Sequence, residues 1–503
     1  MTFAPTPQQE AFLSALRTTT SNIALEARAG CGKTSTLLLG VDVVRDLNAR
    51  NRVILAAFNK AIVEEVETKL TKAGHGFPHV QAKTAHGLGL SLLKDAGIDT
   101  RRGLNAHKVR DLITAAGQSD GLYRDYASTI SKLVSQAKQA ALGVFGSASD
   151  VERWQGLADH YGIELEDAYA ARIIAAAQDV YTRSCADRET FDFDDMILLP
   201  LLAKLSSRFP ADFLFVDEAQ DLSPARQALL AKFVKPRFGR LIVVGDPAQA
   251  IYGFAGADAR AFQNLISDWR CTVLPLSVTF RCPKAVVAEA QKIVPDITAA
   301  DSAPEGVVRS EASLPPVLIP GEDAILCRNT APLISQAYAL IRAGIPAKVE
   351  GRDIGEGLAA LARRWKVRTC AELLARLDAH QEREAAKLAK RPDGEEQVER
   401  LADRLDTLRE IVFACQAKGL QLVTDVTSAI ADLFGDDVSK TKAAVTLATY
   451  HRSKGREWER VFLLEHAARC PSRAARQQWQ LEQEYNLAYV AITRAKRELV
   501  YVG

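Results

Sequence analysis

The stretch Ala27-Arg28-Ala29-Gly30-Cys31-Gly32-Lys33-Thr34 follows the apolar run Ile23-Ala24-Leu25 and precedes a run that reads as a helix start. Glycines allow backbone N–H groups to turn toward phosphate groups, and a helix N-terminus adds its positive end. Lys33 would reach the β- and γ-phosphates, and the Thr34 hydroxyl would bind Mg²⁺. The pattern has Ala27 where glycine is usual. It predicts a strand, a phosphate-binding loop and a helix at the start of an α/β domain.

A second apolar run, Phe213–Val216, ends in two adjacent carboxylates, Asp217 and Glu218. In a nucleoside-triphosphate motor the first carboxylate can hold Mg²⁺ while the second orients an attacking water. An acidic pair after a strand is, taken alone, more often a solvated strand end. The phosphate loop upstream favours the chemical interpretation.

Length and composition limit the class of protein and its surface charge. The chain has 503 residues, which predicts several domains. Because its formal charge is only +2, any strongly basic surface must be confined to one region. Eight cysteines occur without a Cys-x-x-Cys pair, which argues against a zinc ribbon and fits a reducing compartment. We find no apolar run of membrane-spanning length and no secretory pattern. A cytoplasmic protein without a membrane partner is expected.

The pattern of strands and helices changes along the chain. Residues 22–88 alternate strand-like and helical runs, as in a parallel α/β sheet, and 89–190 read as helices only. Strands resume at Phe213–Val216 and 241–244, and a second α/β unit is predicted to start near Leu274-Pro275-Leu276. Helices interrupt this unit from about 355.

Within that interruption, residues 373–412 predict a helical hairpin with its turn at Pro392-Asp393-Gly394. Apolar residues repeat there at spacings of three and four, as in a coiled-coil seam: Val398, Leu401, Leu405, Leu408 and Val412. The hairpin contains no nucleotide motif. Its replacement by a linker is therefore expected to spare most of the ATPase activity. The nearby cluster 363–368 is interpreted either as a basic DNA-facing patch or as a solvated helix face.

Further segments carry polar and aromatic residues after strands. Gln249 follows the run Ile242-Val243-Val244, where an amide could sense a γ-phosphate, and Tyr252 and Phe254 come just beyond it. Arg281 and Arg494 are candidate sources of positive charge for the transition state, a role that contributes about 10³–10⁵ in rate in other systems.

With these motifs in order, the chain resembles UvrD/Rep-type superfamily 1 DNA helicases over nearly its whole length. It resembles a compact member with a reduced second accessory domain and no C-terminal tail. The segments that carry the resemblance are Thr6-Pro7-Gln8-Gln9, the phosphate loop, Asn59-Lys60, Thr84-Ala85-His86, 217–221, 245–256, Phe280-Arg281, 449–458 and 489–494.

The resemblance implies two RecA-like P-loop motor domains with parallel sheets, each carrying a helical insertion, with ATP bound between them. The first motor domain would comprise 1–88 and 191–275, with 89–190 as its insertion. The second would comprise 276–354 and 442–503, with a small insertion at 355–441.

The resemblance also implies roles at the nucleotide. Gln8 would read adenine, Phe280 would stack on the base, and Glu457 would lie near the ribose. Asp217 and Thr34 would hold Mg²⁺, and Glu218 would be the general base. The remaining phosphate contacts would come from Ala27, Gly30, Gly32, Lys33, Gln249, Arg281 and Arg494.

Single-stranded DNA would contact Phe58, Asn59, Thr84, His86, Tyr252, Phe254, Thr449 and His451. Stacking on aromatic side chains tolerates any base, which suits a motor that steps along arbitrary DNA. For Tyr252 and Phe254, packing in a core is the alternative. Ala255 replaces the arginine usual in the family, and the loop around Phe58 is one residue shorter than the usual Phe-Thr-Asn-Lys. These departures weaken the resemblance for a domain-bridging interaction at 255 and for the aromatic contact of Phe58.

The implied function is ATP-dependent 3′→5′ translocation on single-stranded DNA with unwinding of duplexes, in DNA repair, recombination or replication. Single-stranded DNA and junctions of single- and double-stranded DNA would be the partners. A monomer is expected, with a loading partner that the sequence does not identify. Two alternatives stay open: an ATPase on RNA or a 5′→3′ relative, and a DNA-dependent ATPase subunit of a defence or recombination complex that gates a partner.

Overall fold

The computed structural model describes residues 5–57, 60–76, 78–98, 103–161, 163, 165–166, 168–187, 189–251, 260–388, 394–434, 444–475 and 477–503. Four residues predicted to contact DNA, Phe58, Asn59, Tyr252 and Phe254, lie outside these ranges, as does Ala255. The chain divides into two compact units, Met1–Ser277 and Val278–Gly503.

The first unit is built on a parallel sheet whose described strands run in the order β3-β2-β4-β5-β1-β6. These are β1 (Ile23–Ala27), β2 (Val53–Ala57), β3 (Val80–Thr84), β4 (Phe213–Val216), β5 (Arg240–Gly245) and β6 (Thr272–Leu276). Every residue of β2, β4 and β5 is buried. Continuous apolar runs of this kind are typical of parallel strands covered on both faces.

Alternate residues of β1, β2, β4 and β5 belong to two separate cores. Phe213 and Phe215 pack with the helices on one face, whereas Leu214 and Val216 join the core on the other face. The helices of this unit are α1 (Pro7–Thr18), α2 (Lys33–Leu47), α3 (Lys60–Lys72), α4 (Ala85–Asp95), α5 (Lys108–Ala116), α6 (Gly121–Asp125), α7 (Ala127–Gln139), α8 (Val151–His160), α9 (Ala170–Ala186), α10 (Phe193–Leu202), α11 (Pro224–Ala231) and α12 (Ala261–Asp268).

Two buried lysines join the helical insertion to α10, which precedes the acidic motif. The Lys138 Nζ lies 2.6 Å from Asp192 Oδ2 and 2.7 Å from Asp195 Oδ1, and the Lys108 Nζ lies 2.8 Å from Asp195 Oδ2. Asp192 also caps α10, with Asp195 closing a capping box. The charges are paired, as buried charges must be to avoid a large desolvation cost. These aspartates are structural.

The strand at Leu274-Pro275-Leu276, near which the second α/β unit was predicted to start, belongs to the first unit. These residues belong to β6, which pairs with β1 in the first sheet, with Leu274 opposite Leu25. An apolar strand pattern indicates burial but does not indicate which sheet the strand joins. The first unit therefore extends to Ser277.

The second unit contains a parallel sheet with the described order β11-β12-β10-β13-β14-β9, and a separate pair β7-β8. Its strands are β7 (Val278–Thr279), β8 (Thr298–Ala299), β9 (Val307–Glu311), β10 (Asp323–Cys327), β11 (Ala347–Val349), β12 (Val445–Thr449), β13 (Trp458–Leu464) and β14 (Ala495–Val502). Both main sheets are parallel and flanked by helices, so the predicted fold class is confirmed.

The helices of the second unit include the predicted hairpin. They are α13 (Lys284–Ala290), α14 (Ala331–Arg342), α15 (Arg352–Arg363), α16 (Cys370–Leu388), α17 (Gly394–Ala417), α18 (Val423–Phe434), α19 (Tyr450–Ser453), α20 (His466–Arg469) and α21 (Gln478–Ile492). Of the basic cluster 363–368, only Arg363 belongs to α15, and the other residues follow it as a turn and an irregular segment, so most of the cluster is not a helix face. No helix in the described part is long and apolar enough to cross a membrane.

The hairpin helices α16 and α17 are not separable from the second unit. Leu405, Leu408 and Val412 of α17 are fully buried, in the same core as Ile325 of β10 and Phe462 of β13. The predicted seam therefore exists, and α17 packs on α14 and α18 as well as on its partner helix α16. This argues against the expectation that the hairpin can be replaced without affecting the motor.

Candidate active site

The phosphate loop connects β1 to α2 through two glycines with left-handed backbone. Gly30 has φ 74° and Gly32 has φ 78°, and α2 begins at the next residue, Lys33. Glycine adopts this conformation without the strain that a Cβ would add. The first turn of α2 presents backbone N–H groups that have no partner within the helix, which is the usual setting for phosphate. Ala27, the last residue of β1, is fully buried.

Gln9, a residue without a predicted role, anchors this loop. Gln9 Nε2 donates a hydrogen bond to Thr36 Oγ1 (2.8 Å), and the Thr36 hydroxyl donates to the Gly32 carbonyl (3.0 Å). Gln9 also forms a capping box with Thr6 at the start of α1. The spacing Thr6-x-x-Gln9 was the signal available in the sequence.

The acidic pair lies at the carboxyl end of β4, beside the loop. Thr34 Oγ1 donates a hydrogen bond to Asp217 Oδ2 (3.3 Å), and the Lys33 Nζ lies 2.9 Å from Glu218 Oε1. Glu218 has φ 51°, a left-handed conformation that is uncommon for residues other than glycine and that often occurs at functional sites. The structure thus brings Lys33, Thr34, Asp217 and Glu218 together.

Burial and charge shift the protonation of this cluster. Burial, together with the neighbouring Glu218, raises the pKa of Asp217 to about 6. Burial alone would lower the pKa of Lys33, but Glu218, Asp217 and Asp246 raise it above its ordinary value. Lys33 therefore stays protonated, and a protonated lysine at a carboxylate pair suits an incoming phosphate.

The donors present fit Mg²⁺. Thr34 and Asp217 offer a hydroxyl and a carboxylate oxygen close together, and Mg²⁺ is usually held by one or two carboxylates plus substrate phosphates. Among the described residues, no group of three or more His, Cys, Asp or Glu side chains could hold a metal by itself. The buried Lys33 Nζ makes no hydrogen bond of acceptable geometry within the described part, although it contacts Glu218. A phosphate oxygen would supply that acceptor.

A hydrogen-bonded chain links the acidic pair to the residue predicted to sense the γ-phosphate. Gln220 donates to Glu218, and its Oε1 accepts from the backbone N–H of Asp246 (3.1 Å). Gln249 Nε2 donates to Asp246 Oδ2 (2.7 Å). Gly245 is required here, since a Cβ would lie 2.6 Å from Gln220 Oε1. The roles of Gln220 and Asp246 were missed, because both depend on contacts between distant segments.

The side chain of Gln8, predicted to read adenine, is bonded to Ser277, the last residue of the first unit. Its Nε2 donates to Ser277 Oγ (2.9 Å), and its Oε1 accepts from the Ser277 backbone N–H (2.8 Å). The amide is therefore fixed in orientation.

In the second unit, the structure brings together two of the predicted nucleotide residues. Arg281 Nε lies 2.6 Å from Glu457 Oε2. Arg494 is almost completely buried, and its guanidinium donates to the carbonyls of Val490 (2.8 Å) and Arg456 (3.1 Å).

Phe280, predicted to stack on the base, is 43% exposed. It precedes the ion-paired Arg281 in the chain.

Residues predicted to contact DNA occupy helix starts in both units. Thr84 caps α4, accepting from the Gly87 N–H (3.1 Å), and Thr449 caps α19, accepting from the Arg452 N–H (3.4 Å). His86 lies edge-on to the Phe193 ring, and burial with Arg226 nearby lowers its pKa to about 4.

The second histidine, His451, also stays neutral near pH 7. Burial lowers its pKa to about 3, and Arg328, Arg400 and Arg452 add to the effect. Positive charge around a helix start attracts phosphate groups.

Comparisons with known proteins agree with this architecture. The model of the UvrD/REP helicase N-terminal domain matches residues 6–270, and the model of the UvrD-like helicase C-terminal domain matches residues 359–502. The chain is 26% identical over 306 residues to the ATP-dependent DNA helicase PcrA of Bacillus subtilis, and 25% identical over 304 residues to PcrA of Staphylococcus aureus.

These alignments cover 57% and 56% of the chain, and 39% of each relative. The chain thus aligns with less than half the length of these relatives. The N-terminal family model alone spans more than half of the chain and includes the phosphate loop and the acidic pair. The chain therefore belongs to the UvrD/Rep family of helicases.

Proposed function

We propose that the protein is an ATP-dependent DNA helicase that translocates 3′→5′ along single-stranded DNA and opens duplexes. The observation that carries this proposal is the convergence of Lys33, Thr34, Asp217 and Glu218 at the edge of one parallel sheet. That arrangement suits hydrolysis of a nucleoside triphosphate. The similarity to the ATP-dependent DNA helicase PcrA supports DNA as the polymer on which the motor acts.

In the proposed hydrolysis, Lys33 binds the β- and γ-phosphates and gives up its contact with Glu218. The freed carboxylate then accepts a proton from the attacking water. Thr34 and Asp217 would hold Mg²⁺, which would neutralise charge on the phosphates. Gln249, held by Asp246, would orient toward the γ-phosphate.

Positive charge for the transition state would come from Arg281 and Arg494, with Phe280 and Gln8 on the base and Glu457 near the ribose. These roles come from motif resemblance. The Arg494 guanidinium is held in place by its bonds to two main-chain carbonyls.

For DNA, we propose contacts by Thr84, His86, Thr449 and His451, together with Phe58, Asn59, Tyr252 and Phe254. A neutral histidine can donate a hydrogen bond to DNA without forming an ion pair with a phosphate group. Backbone contacts of this kind tolerate any base sequence. The same proposal includes 3′→5′ polarity and action in DNA repair, recombination or replication. It also includes a monomeric state, a loading partner and a cytoplasmic location.

The test is an ATPase assay with and without single-stranded DNA, followed by strand displacement on tailed duplexes. DNA-stimulated hydrolysis with strand displacement supports the helicase. Stimulated hydrolysis without displacement would instead favour an ATPase subunit that gates a partner. Stimulation by RNA alone would move the substrate to RNA.

A further inference from the structure

The side chain of Arg28, in the phosphate loop, links the ends of two neighbouring strands of the first unit. Its Nη2 lies 2.8 Å from Glu26 Oε1, on β1, and its Nη1 lies 3.5 Å from Asp246 Oδ1, directly after β5. The Arg28 backbone N–H donates to the Leu276 carbonyl (2.8 Å). The arginine is buried, so both its main chain and its side chain are held in place. The proposed hydrolysis has not yet used it.

The Asp246 carboxylate, which Arg28 contacts, is fully buried. Its Oδ1 accepts from the Ala248 backbone N–H (3.1 Å), and its Oδ2 accepts from Gln249 Nε2 (2.7 Å). A carboxylate that is removed from water is costly to keep ionised unless a cation is paired with it. The ion pair with Arg28 meets this requirement.

The charge of Asp246 decides which end of the Gln249 amide faces it. An ionised carboxylate only accepts hydrogen bonds, whereas a protonated one can also donate. Beside an ionised Asp246 the amide must therefore present its NH₂ group and turn its oxygen away. A protonated Asp246 would tolerate either orientation of the amide. The orientation of Gln249, which is predicted to sense the γ-phosphate, thus depends on the charge of its neighbour.

Two cations act against protonation of this carboxyl group. Burial raises the pKa of Asp246, and the positive charges of Lys33 and Arg28 oppose that rise. In the proposed hydrolysis Lys33 transfers to the phosphates, so its charge would then be shared with the nucleotide. Arg28 is held by Glu26 and by the main chain, and would stay beside Asp246 when ATP is bound.

We propose that Arg28 is a positioning residue for ATP hydrolysis, which fixes the Gln249 amide by pairing with the Asp246 carboxylate. Arg28 acts through Asp246 and needs no contact with the nucleotide. This inference rests on the proposed function only in requiring hydrolysis of ATP, and it requires neither unwinding nor a polarity.

The test is a double-mutant cycle, measured as ATPase activity of the full chain in the presence of single-stranded DNA. Arg28→Gln removes the cation, Asp246→Asn removes the negative charge with little change of shape, and a third variant carries both changes. Arg17→Gln, at an exposed position on α1, is the control for loss of one positive charge. Circular dichroism checks the folding of each variant.

We expect Arg28→Gln and Asp246→Asn each to lower kcat at least about tenfold, the scale of one hydrogen bond to a charged group. KM for ATP should change by no more than about twofold, because Lys33 and the glycines of the loop are retained. The double variant should have the same kcat as Asp246→Asn alone, because the two residues act as one unit. Arg17→Gln should have the kcat and KM of the unmodified chain.

An unchanged kcat in Arg28→Gln, or a rise in KM alone, would overturn the proposal. A further loss of kcat in the double variant, beyond that of Asp246→Asn, would also overturn it, because Arg28 would then act independently of Asp246. If Arg28→Gln does not fold, this last comparison still decides the outcome, since the double variant removes the buried charge together with its partner.

The readout separates this proposal from the proposed helicase. Strand displacement is not measured in the cycle, so a chain that hydrolyses ATP without opening duplexes gives the same test of Arg28. Absence of ATP hydrolysis by the unmodified chain would overturn both proposals.

Discussion

The Nζ of Lys33 lies 2.9 Å from Oε1 of Glu218. The lysine belongs to the first turn of α2, and the glutamate follows β4, so the two elements that build the site meet in this ion pair. The candidate base is thus held by the residue that should bind phosphate. Binding of ATP would transfer Lys33 to the phosphates and leave the Glu218 carboxylate free to take a proton.

The first prediction concerns Glu218 as the base. Glu218→Gln should retain ATP binding, because Lys33 and the loop are unchanged, and should lose at least about 10²-fold in DNA-stimulated turnover. Steady-state ATPase assays and binding of a fluorescent nucleotide measure the two effects. Glu64→Gln, on the exposed side of α3, is the matched control. Near-normal turnover of the Glu218 variant would remove this residue from the base role.

A second prediction concerns Arg281 and Arg494. Arg281→Ala and Arg494→Ala should reduce kcat far more than they raise KM, because the contacts would form mainly in the transition state. Arg494→Lys tests whether charge alone suffices, and circular dichroism checks folding, since the Arg494 side chain is buried. Arg342→Ala, at the exposed end of α14, is the control. A rise in KM alone would identify a ligand of the ground-state phosphates.

The third prediction concerns α17. Leu408→Ala should lower the free energy of unfolding by about 2–5 kcal/mol, because it opens a cavity in the core shared with the motor sheet. Phe413→Ala, on the exposed side of the same helix, should change it by no more than about 0.5 kcal/mol. Urea titration measures both. Equal, small losses would mean that the hairpin is independent of the motor core.

The fourth prediction concerns acid sensitivity. The pKa of His451 is about 3 in the folded chain, below its ordinary value of 6.5, so the unfolded chain binds more protons between these values. The stabilising contribution is complete above about pH 6.5 and is lost as the pH falls toward 3. His451→Gln should therefore flatten the decline of melting temperature below pH 6.5. His107→Gln, at an exposed position, should not. If the melting temperature fell with pH to the same extent in the His451 and His107 variants, the burial of a neutral His451 would be contradicted.

Local patterns predicted the central part of the site, and long-range contacts were harder to predict. The phosphate loop and the acidic pair lie directly after buried strands, so their strand-end positions follow from apolar runs and glycines alone. The bond from Gln9 to Thr36 and the chain from Gln220 to Asp246 join segments that are separate in sequence. No periodicity specifies such pairs.

Two long-range arrangements could not be predicted, and they have the same cause. The apolar pattern at Leu274-Pro275-Leu276 predicted a strand correctly but not its pairing with β1. The seam on α17 predicted a helical hairpin, but an apolar stripe does not indicate that the helix also packs on α14 and α18.

Strand displacement with purified protein tests the central claim most directly. A duplex with a 3′ single-stranded tail should be opened in the presence of ATP and Mg²⁺, a duplex with only a 5′ tail should not, and Glu218→Gln should open neither. Binding to both duplexes should weaken steeply with salt, because backbone contacts release counterions. Opening of the 5′-tailed duplex alone, or failure to open either duplex despite DNA-stimulated hydrolysis, would contradict a 3′→5′ helicase.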